Sequence, residues 1–220
     1  MFMFFFGGAY FTLLYYLPIY FQSIHDTSPI GSGVRMLALI IPLTIAAIVQ
    51  GFALTKVGIV PLFWLVGGAL ETVGAGLFYT MDADTSAGKW IGYQILVGFM
   101  TGWTFQVAIA NAQIHAQPED LSQVTAIVNC KSTLPYFAGP RVLTLQTVFV
   151  TVGGAFFVSA AQSAFNNQMI KELARRLPEI DPGMVLATGA TQIRHAFPAS
   201  QVPVILDAYM VGLKAVFAVM

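Results

Sequence analysis

The sequence predicts an all-α, polytopic membrane protein of about six transmembrane helices, and three observations carry that reading. The run from Met1 to Phe21 holds no charge, and at 1.5 Å per residue it spans roughly the 30 Å hydrocarbon core of a bilayer. Similar apolar runs recur down the chain. The composition agrees: 57% of residues are hydrophobic and 9% charged, against about 25% charged in soluble domains, and the mean hydropathy is +0.74. Ten basic residues balance ten acidic ones, so nothing resembles the basic footprint of a nucleic-acid binder. Cys130 is the single cysteine, which rules out an internal disulfide and a cysteine-based metal site. The first run is no secretory signal, because it lacks a basic lead-in and a small-residue cleavage site.

The elements follow in order. A first helix reads Phe2 to Gln22, with Tyr10, Tyr15, Tyr16 and Tyr20 crowding its second half as rings near an interface do. A polar segment from Ser23 to Pro29 separates it from a second helix, about Ile30 to Leu54. Pro42 inside that helix is tolerable where neighbouring helices satisfy the freed carbonyl. Lys56-Val57-Gly58 makes a tight turn into a third helix, about Val60 to Tyr79. Met81 to Lys89 is a polar loop and Trp90 opens a fourth helix that runs to about Ile114. A fifth begins near Leu121, is interrupted, and resumes to about Asn166. The longest polar stretch, residues 167–203, contains an amphipathic segment: Met169, Ile170, Leu173 and Leu177 share one face, and Lys171, Glu172, Arg175 and Arg176 the other. It is expected as a short interfacial helix. Asp181-Pro182 reads as the N-cap and first-turn residue of another. A last apolar run, Val202 to Met220, forms a shortened sixth helix. Gly98-x-x-x-Gly102 on the fourth helix has the spacing of a close helix–helix contact.

Soluble catalytic signatures are missing, so no catalytic residue, metal site or cofactor is expected. Polar side chains on the helices are the stronger lead, since such groups face cavities or other helices. Tyr15, Tyr16, Gln22, Gln94, Gln106, Asn111, Gln113 and Gln162 are candidates for a wet substrate path, the alternative being hydrogen bonds between helices. Gln50 joins them on the second helix. Glu71 is the one acid deep in a helix, and a carboxyl there is a candidate proton carrier. Asp207 and Lys214, seven residues apart on the last helix, could pair with other helices or mark its ends. His115 and Glu119 have metal-ligand spacing, but Pro118 intervenes.

Tyr15-Tyr16-Leu17-Pro18-Ile19-Tyr20-Phe21-Gln22, followed by Ser28-Pro29 and Ser32-Gly33-Val34, resembles the fungal drug:proton antiporters of the major facilitator superfamily, fourteen-helix type. The likeness continues through Gly68-Ala69-Leu70, Gly74 to Leu77, Trp90 to Leu96, Gly153-Gly154-Ala155-Phe156, Ala161-Gln162 and Gly189-Ala190-Thr191. It implies a single membrane domain over residues 1–220, matching the C-terminal half of such a transporter, with an N-terminal half absent. Its expected function is proton-coupled efflux of hydrophobic small molecules such as drugs, toxins or secondary metabolites, in the plasma membrane. Its partners would be the bilayer, the hydrophobic substrate, protons and the missing half, without which the chain would be inactive. The resemblance places the long polar loop outside the cell. Two other readings are a truncated or mis-spliced product without function and, less favoured, an intramembrane enzyme.

Residues 130–148 break the resemblance. Cys130 to Arg141 brings Pro135, Pro140, Lys131 and Arg141 into what should be a spanning helix. The segment reads as a translated intron, the alternative being a functional insertion. Cys130-Lys131-Ser132 can be encoded with a donor-like GTAAGT, and Leu143 to Val148 with a branch-like CTAAC and an acceptor-like ACAG. Excision from the second base of codon 130 through the first base of codon 148 keeps the frame. It joins Asn129 through one Phe or Leu to Phe149, restoring an aromatic pair and an unbroken helix of about 28 residues. Amplification of complementary DNA across these codons should therefore give a product shorter than the genomic one by that segment. A genomic sequence without GT after the first base of codon 130 overturns the reading.

Overall fold

The computed structural model describes residues 2–57, 60–114, 140–189 and 192–220, without the side chains of residues 55, 57, 60, 106, 108–114 and 140–147. Among them the elements are all helical: α1 (Phe2–Ser23), α2 (Pro29–Val57), α3 (Val60–Tyr79), α4 (Ala87–Ile114), α5 (Pro140–Arg176), α6 (Pro182–Ala187), α7 (Ile193–Ala196) and α8 (Val202–Val219). Five helices are long and apolar enough to cross a membrane: Phe2–Ser23, Pro29–Leu54, Pro61–Tyr79, Val148–Arg176 and Val202–Val219. The 28 residues of α4 give it the length to cross as well.

Two tightly packed pairs form the frame. α2 runs parallel to α4, and α1 runs parallel to α5. In hydrocarbon, apolar side chains gain nothing by leaving lipid for protein, so close backbone approach has to hold helices together. Both seams are built that way. A Cβ at Gly98 would strike the carbonyl of Leu39, and one at Gly102 that of Leu43. On the other seam Gly7 lies against the backbone of Val150, and Gly153 against that of Phe4. The small-residue spacing on the fourth helix is thus a packing device. α3 packs on α4, and α8 lies between α5 and α3, reaching α1 as well. The main core joins Leu13, Tyr16, Leu17, Tyr20 and Phe21 of α1 to Phe78, Phe165, Tyr209, Leu213 and Phe217.

Two expectations need correction. The amphipathic segment beyond Asn166 is not a separate interfacial helix; α5 runs on through it to Arg176. Nothing in Asn167 to Arg176 breaks a helix. Met169 and Leu173 are fully buried, because Val185, Ile193 and Phe197 of the polar connection fold over them into the same core. Tyr16 and Tyr20 are buried in the bundle, not ranged along an interface, while Tyr15 is exposed. At the end of α1, His25 Nε2 lies 3.1 Å from the Tyr20 hydroxyl. The N-cap expectation holds, since Asp181 Oδ1 accepts from the Gly183 amide at 2.9 Å. The suspected break near Pro135 lies outside the described residues, as do His115 and Glu119; the described part of α5 starts at Pro140.

The loops 24–28 and 80–86 and the connection 177–201 gather at one end of the bundle, and ion pairs bind them there. Lys214 pairs with Asp82 at 2.5 Å, Arg176 with Asp207 at 3.1 Å, and Arg194 with Asp26 at 3.6 Å. Arg194 also donates to the Ile24 carbonyl. Asp207 and Lys214 therefore pair with other parts of the bundle.

Gly102→Leu should open the α2–α4 seam and cost about 3 kcal/mol or more, read as a lower thermal midpoint in detergent. A second outcome concerns the loop end. Burial, and then the positive charge of Arg35, hold the His25 imidazole below its usual pKa. The unfolded chain therefore binds that proton more readily. His25 leaves stability intact above its ordinary pKa of about 6.5 and lowers it as pH falls below that value. Thermal midpoints of the native chain should drop across that range more steeply than those of His25→Gln.

Candidate functional site

The exposed face of the α1–α5 pair carries a polar line. On α5 the residues Thr151, Ala155, Ser159, Gln162, Ser163 and Asn166 recur at helical spacing, all outward or partly so. Ser159 and Ser163 turn their hydroxyls back to the carbonyls of Ala155 and Ser159. Gln162 is held at both ends: its Oε1 accepts from the Tyr16 hydroxyl at 2.8 Å, and its Nε2 donates to Asn166 Oδ1 at 2.9 Å. Tyr15, 54% exposed, stands with its ring against that of Tyr16. Gln22 Nε2 donates to Ser32 Oγ at 3.0 Å, linking the end of α1 to α2. The hydroxyls of Ser159 and Ser163 and the amide of Gln162 thus each have a partner within the bundle.

Glu71 stands elsewhere. It lines an apolar cavity of about 170 Å³ enclosed by Phe2, Phe5, Phe6, Tyr10, Val97 and Met220 among others. Thr101 Oγ1 donates to its Oε1 at 3.0 Å from α4. One hydrogen bond and no cation hold this carboxyl among the described residues. A third space, about 630 Å³, opens at the loop end between Asp82, Asp84, Lys89, Arg176, Asp207 and Lys214.

Of the sequence candidates, Tyr15, Tyr16 and Gln162 come together, with Gln22 further along α1. Gln94 does not join them. It is fully buried, both atoms of its amide without a partner, as is Gln50. Its place on α4, one turn before Gly98, puts it in the α2–α4 seam. Gln106, Asn111 and Gln113 lie on α4 with side chains outside the described set. Asn166, Thr101 and Arg35 were missed. Asn166 stands four residues beyond Gln162, a spacing that signals a shared helix face. The link from Thr101 to Glu71 joins two helices and has no signal in local sequence.

Comparison with known proteins adds the decisive observation. Over 217 residues, 99% of its length, the chain is 67% identical to the protein named "Probable efflux pump gsfJ" of Penicillium aethiopicum, covering 36% of that protein. Over nearly its whole length it is also similar to proteins named MFS-type transporters. The "MFS-type transporter grgE" of a Penicillium species is 50% identical over 99% of the chain and 35% of its own length. The "Dehydrocurvularin exporter" of Aspergillus terreus is 34% identical over 96% of the chain and 34% of its own length. The chain thus spans about a third of the length of the curated relatives it matches. No family model and no solved structure matches it. The superfamily expected from Tyr15 to Gln22 and the motifs after it is borne out.

Thr101→Val should leave the Glu71 carboxyl without its donor and lower stability by about 1–3 kcal/mol, while Thr101→Ser should not. Thermal unfolding of the purified variants checks this.

Proposed function

We propose that this chain forms one helix bundle of a proton-coupled exporter of hydrophobic small molecules in the plasma membrane. It corresponds to the C-terminal half of a fourteen-helix carrier, and a second bundle completes it. The carrying observation is identity along nearly the whole chain to proteins named efflux pumps and transporters. The polar face of α1 and α5 supports the need for a second bundle. Carriers of this kind rock two bundles about a site between them, and the line from Tyr15 and Tyr16 to Gln162 and Asn166 is the surface on which cargo would lie. Glu71 is the acid placed to take up and release a proton. The relatives are named efflux pumps and transporters, which disfavours the enzyme reading. A mis-spliced, inactive product is favoured only by residues 130–148.

Vesicles holding the complete carrier should show substrate-driven proton flux, and vesicles holding this chain alone should show none. In the complete carrier Glu71→Gln should abolish proton coupling while protein level stays unchanged. Flux from the chain alone would remove the need for a second bundle. Undiminished coupling in Glu71→Gln would remove the proton role.

A further inference from the structure

Arg35 sits six residues inside α2, about 9 Å from the Pro29 end. A cation at that depth of a spanning helix ordinarily finds a carboxylate or a carbonyl. Arg35 has neither among the described residues. Its guanidinium instead rests over two rings that meet edge to face, 5.4 Å from the centroid of Phe21 and 5.6 Å from that of Trp90. Contacts of this kind hold the flat face of the group. They leave unused the five N–H donors on its edge, which suit a planar oxyanion.

A second, independent feature lies at the same level. Trp90, Gln94, Gly98 and Gly102 follow one another at four-residue steps on the side of α4 that faces α2. Gly98 meets Leu39 and Gly102 meets Leu43, so Gln94, one turn earlier, falls opposite Arg35. Gln94 is 0% exposed, and neither its Nε2 nor its Oε1 has a hydrogen-bond partner. A buried amide left so is costly unless something else fills its place. Of the acids near this end, Asp82 pairs with Lys214 and Asp26 with Arg194, while the exposed Asp84 makes no ion pair among the described residues. Arg35 thus makes no ion pair among the described residues and stands beside an orphaned amide, its flat face over two buried rings.

We propose that Arg35 and Gln94 form a recognition site for an oxyanion, such as a carboxylate, phenolate or phosphate, carried on an apolar body. The guanidinium edge supplies the charge-assisted bonds, the Gln94 amide adds a donor, and Phe21 and Trp90, both buried, hold the guanidinium by its flat face. The occupant is either an acidic aromatic solute or a lipid headgroup, both of which present this chemistry. In naming a solute the inference rests on the export reading, but the test measures binding, so failure of export leaves its result standing.

The full chain in dodecyl maltoside, free of phospholipid, is titrated with 1-pyrenebutyrate and with its uncharged methyl ester. The acid should bind at least tenfold tighter, the value of one charge-assisted bond. Arg35→Gln should abolish that preference, and Arg35→Lys should keep part of it. Gln94→Leu, which alters no charge, should weaken the acid severalfold and spare the ester. It provides the check if Arg35→Gln fails to fold. Displacement of the probe by dioctanoyl-phosphatidylglycerol at lower concentration than the probe's own identifies a lipid as occupant; displacement only at far higher concentration identifies a solute. Equal binding of acid and ester to the native chain, or a preference that survives Arg35→Gln, overturns the proposal.

Discussion

Backbone approach between helices is the constraint on which the rest depends. Lipid solvates Leu and Ile as well as a protein core does, so the bundle cannot rely on hiding apolar surface. It brings main chains together at Gly7, Gly98, Gly102 and Gly153 instead. The two seams so formed are rigid because a glycine contact has no side chain to rearrange. α3 and α8 then add to this frame mainly through side chains, with Phe78 against Phe217 and Phe165 against Tyr209.

The frame also decides where polar groups can go. The exposed face of the α1–α5 pair is free to carry Ser159, Gln162 and Ser163, with Gln162 tied to Tyr16 of α1. The seams, by contrast, enclose whatever lies on them. Gln94 and Gln50 were drawn in with the backbone contacts and their amides lost water without gaining partners. Glu71 represents a middle case, enclosed among aromatic rings yet given one donor by Thr101. Exposure, enclosure and partial satisfaction thus follow from which face of each helix the glycines turned inward.

Much of this was legible in the sequence. The spanning helices and the α3 limits, Val60 and Tyr79, follow from runs of apolar residues between polar breaks, a signal carried by composition alone. The glycine spacing on α4 and the N-cap at Asp181 are likewise local. The site was legible only in part. Tyr16 and Gln162 lie 146 positions apart and meet because α1 packs on α5, which no periodicity states. Gln94 resembles Gln162 in sequence but occupies a seam, and its fate depends on the partner helix. The end of α5 was misjudged for the same reason. A charged face at Lys171 to Arg176 suggests an interface, yet Val185 and Ile193, brought back by the following connection, bury its other side.

The loop end holds nearly every ion pair of the described bundle, including Asp82 with Lys214 and Arg176 with Asp207. Such groups stay with the headgroups and cannot follow the helices into hydrocarbon. The charged end therefore acts as a float, fixing how deep the bundle sits. A bundle so suspended can tilt but cannot plunge, and any working motion has to swing about a level set at that end.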